Sequence, residues 1–160
     1  SKILAGDTGY DIVVPSSSFL GRQIQAGAYQ KLDKSKLPNW SNLDEGLLGK
    51  LQDVDPGSEY SYPYLWGTTG IGYNVDKITE IFGSTDVVNS WDLVFKPENL
   101  AKLKDCGVTF LDAPSEIIPT TLHFLKEDPN SFDFAVIDKA AALLETLRPS
   151  ITNFHSSEYI

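Results

Sequence analysis

Basic residues are scarce in this chain of 160 residues, with 13 Lys and Arg against 22 Asp and Glu, a formal charge of −9 and a pI near 4.5. That balance argues against an electrostatic nucleic-acid binder, which needs a basic face. No apolar run approaches the roughly 18 residues needed to span a bilayer. A single cysteine, Cys106, excludes an intrachain disulfide and a Cys-x-x-Cys zinc site. Two readings of it stay open, a buried thiol or a disulfide whose partner lies outside the 160 residues. The two histidines, His123 and His155, have neither a metal-helix partner at i+4 nor a cysteine at a catalytic spacing, so surface or packing roles are expected. No metal and no cofactor is expected.

What is present is ordinary for a folded domain: 41% hydrophobic and 22% charged residues. One domain or two small lobes of this length can bury about two-thirds of the unfolded surface. Ser1-Lys2-Ile3-Leu4-Ala5-Gly6 lacks the apolar core of a signal peptide and reads as the last turn of a helix closed by glycine. With Phe154 to Ile160 stopping on an apolar residue, both ends are expected to be cuts in a longer chain.

Asp11 to Pro15 is a short apolar run of the kind that forms a strand buried on both faces. Ser16-Ser17-Ser18 follows as a cap, then Phe19, Leu20, Gln23 and Ile24 at helical spacing, with Gly27 as the stop. The same grammar returns in Gly107 to Asp112, followed by Ala113-Pro114-Ser115-Glu116 and a helix with Ile117, Ile118, Leu122 and Leu125, which Pro119 is expected to kink. Strand-to-helix units of this kind predict a parallel α/β sheet. Between them, residues 31–63 read as surface connection with one short helix around Leu47, Leu48 and Leu51. Tyr64 to Asn74, with three glycines, predicts an extended segment closely approached by backbone or ligand. Asp76 is expected to cap a helix ended by Gly83, Ser90-Trp91 and Pro97 to open two more, and Ala140, Leu143, Leu144 and Leu147 to face the core from a last helix stopped by Pro149.

Several sites of chemistry are rejected. Gly67-Thr68-Thr69-Gly70-Ile71-Gly72 has the wrong glycine order for a dinucleotide fingerprint, and no Gly-Lys-Ser/Thr follows for a P-loop. Val14-Pro15-Ser16-Ser17-Ser18 lacks the Gly-x-Ser-x-Gly elbow of a hydrolase nucleophile. The Asn39-Trp40-Ser41 sequon is a chance-level match. Two polar strand-to-helix junctions remain, Ser16 to Ser18 and Asp112 to Glu116, where parallel α/β sheets hold ligands. Carboxylates there suit a cation, with charge-assisted hydrogen bonds of roughly 1.5 to 3 kcal/mol net each. The plainer reading, which the residues alone favour, is that Ser16 or Ser17 only caps one helix and Glu116 only complements the dipole of the other.

At these residues the sequence resembles the periplasmic putrescine/spermidine-binding proteins of bacterial ABC transporters, most of all their putrescine-preferring branch. The strings that carry this are Thr8-Gly9-Tyr10-Asp11-Ile12-Val13-Val14-Pro15-Ser16, Leu32-Asp33-Lys34-Ser35-Lys36-Leu37-Pro38, Pro63 to Asn74, Ser90-Trp91-Asp92-Leu93, Lys96-Pro97-Glu98-Asn99-Leu100, Phe110-Leu111-Asp112-Ala113-Pro114 and Phe154-His155-Ser156-Ser157. The resemblance implies an α/β fold, periplasmic-binding-protein-like (type II), of two hinged lobes, here incomplete. Residues 1–66 would be part of the first lobe, with a crossover at about 65–70, and residues 71–160 most of the second. It implies that Ser16 contacts one ammonium end of a polyamine and that Glu116 pairs with an amine across the cleft. Asp112 and Ser18 are weaker candidates, and further aromatic and acidic ligand residues would lie before Ser1 and after Ile160. Cys106 resembles a family cysteine paired with one beyond Ile160, which suits an oxidising periplasm. The implied function is non-catalytic capture of putrescine or spermidine for a membrane permease, with no nucleic-acid partner. The isolated 160 residues are then expected to bind polyamines only weakly. The alternative from another class is an α/β enzyme acting on an amine, with Asp112 or Glu116 as general base.

Overall fold

The computed structural model describes residues 2–6 and 8–156. Ser1, Asp7 and residues 157–160, including the Ser157 of the last family string and most of the tail read as a cut end, lie outside the described residues. The chain divides into two compact units, Ser1–Thr68 and Thr69–Ile160.

In the first unit, Lys2–Ala5 forms a single 3-10 turn followed by Gly6 at φ +72°. Helix α1 spans Ser17–Gln25 and buries Leu20 and Gln23. Ser16 stands at its N-cap position, yet its side chain makes no capping bond and its Oγ lies 2.9 Å from Ser18 Oγ. The serine cap expected there is therefore a pair of hydroxyls facing each other. The strand expected over Asp11 to Pro15 does not form; the segment is irregular, with Ile12 84% and Val14 73% exposed. A strand needs a ladder partner for its backbone groups, and among the described residues none pairs with it. Helix α2, Glu45–Lys50, starts at Asp44, whose carboxylate accepts from Leu47 N at 2.9 Å. Gly21 of α1 faces Val54, whose methyl carbon would sit 3.3 Å from an added Cβ, so glycine is what lets the two segments approach.

Polar bonds hold the rest of this unit. Asp55, 1% exposed, accepts from the backbone N–H of Glu59, Tyr60 and Ser61 and from the Ser61 hydroxyl at 2.7 Å. Lys34 donates to Gly57 O and lies 4.4 Å from the centre of the Trp40 ring, which packs edge-on against Tyr62. Leu20 is the buried apolar side chain of this unit among the described residues.

The second unit carries the hydrophobic core. Helix α3, Val75–Phe82, is capped by Asn74, whose side chain accepts from Lys77 N, and ends at Gly83 in the left-handed region. Asp76, expected to be the cap, sits in the first turn instead. The side-chain oxygen two residues earlier in the chain reaches the free N–H at the start of the helix and leaves Asp76 to complement the dipole. Helices α4, Asp92–Phe95, and α5, Pro97–Leu103, lead into β1, Thr109–Leu111. Helix α6, Pro114–Phe124, and helix α7, Phe134–Leu147, then cross to β2, Asn153–His155, which pairs with β1 in parallel with Phe110 opposite Phe154. The α/β order expected from the sequence is realised here. Helix α6 continues through Pro119; hydroxyls of Thr120 and Thr121 donate to the carbonyls of Glu116 and Ile117 beside it.

Phe95, Leu100, Phe110, Leu147 and Ile151 form one core cluster, joined by Phe124, Leu143 and Leu144. Phe95 stacks at 5.1 Å on Phe124 and meets Phe110 edge-on at 6.4 Å. Ile78, Leu93 and Leu103 form a second cluster beneath α3.

Two substitutions test this account. Asp55→Ala strands three backbone N–H groups and is expected to cost about 2–4 kcal/mol locally. Amide exchange at Glu59, Tyr60 and Ser61 should then accelerate by two orders of magnitude or more, and unchanged protection there would remove Asp55 from its role. Lys126, at φ +61° just after α6, holds a conformation that suits glycine. Lys126→Gly should therefore stabilise the second unit by about 0.5–1 kcal/mol, read as a small rise in its unfolding midpoint.

Candidate ligand site

The second polar junction is built by the sheet. Strand β1 ends where Asp112 N donates to His155 O at 3.1 Å, and the chain turns at once into α6 through Ala113 and Pro114. Pro114 suits that start because its missing N–H is one the helix could not satisfy. Glu116 falls in the first turn, exposed, with its backbone N–H on Ala113 O. Its carboxylate has a partner far off in sequence: Thr69 Oγ1 donates to Glu116 Oε2 at 3.0 Å, across 47 positions. Glu116 is thus more than a dipole complement to its own helix. Asp112 is exposed four residues earlier, and among the described residues its carboxylate has no protein partner.

In the first unit, the start of α1 brings Ser16 and Ser18 together at 2.9 Å, both exposed. A hydroxyl pair of this kind shares one donor internally and keeps lone pairs and one O–H for an outside group. Each junction therefore offers exposed acceptor oxygens, hydroxyl in one unit and carboxylate in the other, and acceptors of both kinds suit a cationic donor.

Thr69 was not singled out from the sequence as a site residue. At its neighbours Gly67, Gly70 and Gly72 an added Cβ would meet nothing within 4 Å, so no backbone among the described residues makes the close approach expected of a backbone or a ligand along this segment. A cavity of about 330 Å³ does lie in the second unit, lined among others by Thr69, Ile71, Tyr73, Cys106, Phe110 and Ile117. Asp112 and Glu116 are not in its lining, so cavity and carboxylates are separate features. Among the described residues, no three His, Cys, Asp or Glu side chains are grouped to hold a metal ion, and no helix is long and apolar enough to cross a membrane. His123 is exposed and His155 half-buried.

Cys106 is exposed and free, which overturns the reading of it as a buried thiol: it closes a 3-10 turn after α5, beyond the last buried leucine of that helix. In the 160-residue chain it should react with a thiol reagent to one equivalent without denaturant; a thiol that titrates only after unfolding would contradict this exposure.

No protein-family model matches the chain. It is 57% identical over 160 residues to the putrescine-binding periplasmic protein SpuD of Pseudomonas aeruginosa, covering 100% of this chain and 44% of that protein. It is 56% identical over 162 residues to the putrescine-binding periplasmic protein PotF of Escherichia coli, covering 99% of this chain and 43% of the relative. Among solved structures, a putative spermidine/putrescine ABC transporter protein from Listeria monocytogenes superposes with a TM-score of 0.77 at 30% identity, over 99% of this chain and 45% of its own. The chain thus spans less than half the length of the relatives it matches. The fold is that of the type II periplasmic binding proteins, in part. By sequence and fold, these 160 residues are similar to one part of the periplasmic putrescine- and spermidine-binding proteins.

Proposed function

We propose that the protein of which these residues form a part is a non-catalytic solute-binding protein of the periplasm. It captures a polyamine, putrescine foremost, and delivers it to the membrane permease of an ABC transporter. The observation that carries this reading is 57% identity to a putrescine-binding periplasmic protein with 100% of this chain aligned. On this reading the first unit is part of one lobe and the second unit most of the other. Ser16, with Ser18 beside it, accepts from one ammonium, and Glu116, with Asp112 as a lesser contributor, accepts from the other.

The chemistry of the junctions supports the assignment. A diamine carries two like charges separated by methylenes, so acceptors must meet it at both ends. A primary ammonium offers three N–H donors and no acceptor, which suits a carboxylate on one side and hydroxyl oxygens on the other. Excluding water around such pairs strengthens each of them. Cys106 is proposed to pair, in the full-length protein, with a cysteine outside the 160 residues, a bond that an oxidising compartment would preserve.

Isothermal titration of putrescine, then spermidine, into the full-length protein tests the reading. One-to-one binding is expected, with Glu116→Gln weakening it at least about tenfold. Absence of heat with both polyamines would overturn the ligand assignment, and turnover of either polyamine would establish the amine-processing enzyme instead.

A further inference from the structure

We infer that Thr69 is a positioning residue for the ligand carboxylate: its hydroxyl holds Glu116 in one rotamer. The inference rests on the reading above, in which Glu116 receives an ammonium. Glu116 is exposed, and its backbone is already fixed by its own N–H on Ala113 O and by the Thr120 hydroxyl on its carbonyl. Its side chain is otherwise free to rotate, and ordering a glutamate side chain costs conformational entropy. The bond from Thr69 Oγ1 to Oε2, 3.0 Å long, orders the carboxylate before any ligand arrives. It also directs the division of labour between the two oxygens. Oε2 is engaged by Thr69, and Oε1 has no hydrogen bond among the described residues, so an incoming ammonium meets a free oxygen on a carboxylate already aimed.

The place of Thr69 in the chain adds a second consequence. It is the first residue of the second unit, directly after Thr68, the last of the first. Thr69 itself is half-buried, in an extended segment without helix or ladder bonds of its own. The hydrogen bond to Glu116 therefore ties this segment to the first turn of α6.

The test compares three single substitutions and one double in the full-length protein, by titration with putrescine. Thr69→Val, which keeps shape and removes the donor, should weaken binding about threefold to tenfold. Thr69→Ser, which restores the donor, should bind within about twofold of the parent, and Glu116→Gln/Thr69→Val should bind no more weakly than Glu116→Gln alone. If Glu116→Gln loses affinity while Thr69→Val keeps it, the positioning role is overturned and the ligand assignment stands. Equal losses in Thr69→Val and Thr69→Ser would assign the effect to packing and overturn the role as well. Parent affinity in Glu116→Gln would overturn the ligand assignment and this inference with it.

Discussion

The parallel pairing of Thr109–Leu111 with Asn153–His155 is the constraint on which the second unit depends. Two short strands so far apart in sequence need a crossover, and α6 and α7 supply it by packing Ile117, Phe124, Leu143, Leu144 and Leu147 against Phe95, Phe110 and Ile151. The ladder also decides where chemistry can occur. Its last bond, from Asp112 N to His155 O, ends the sheet, and the next turn of chain is the start of α6. Glu116 is exposed because the strand stops there and the helix begins at once, with proline as its first residue. Moving the end of β1 by one residue would turn Phe110 out of the core and carry the carboxylate to another face.

The two units are held together by different physics. The second closes over aromatic and branched aliphatic side chains. The first has Leu20 as its buried apolar residue among those described, and relies on Asp55 gathering three backbone amides and a hydroxyl. A bonding hub of that kind fixes loops firmly but contributes little net free energy, since each bond replaces one to water. The exposed Ile12 and Val14 belong to the same picture: apolar residues patterned for a sheet, with no ladder partner among the described residues.

That contrast explains what was legible in the sequence. Wherever local signals and tertiary packing agree, the reading holds: β1, the start of α6 at Pro114, the stop at Gly83 and the apolar face of α7 follow from composition and spacing. Asp11 to Pro15 has the composition of a strand, but a strand is a property of two segments, and periodicity describes one. Asp76 and Asn74 are both good caps, and they stand two positions apart; which becomes the cap depends on where the first helical N–H falls. The serines of α1 and the carboxylates of β1 to α6 were visible as polar junctions, whereas Thr69 was not. Its importance lies in a contact across 47 positions, and no local pattern marks a hydroxyl that reaches so far.

The start of α6 also sets the character of the site. The first turn of a helix carries a positive field, equivalent to roughly half a charge, from N–H groups without intrahelical partners. Left to itself that end would repel an ammonium and attract an anion. Glu116 opposes that field: the helix start favours the carboxylate, which is exposed and places a negative charge in the first turn. On the proposed reading, cation recognition at this junction would be the work of the Glu116 carboxylate against the field of its own helix. A neutral glutamine there would remove the attraction and leave the repulsion in place. The bond from Thr69 bears on the same point, because it engages Oε2 and leaves Oε1 without a hydrogen bond among the described residues.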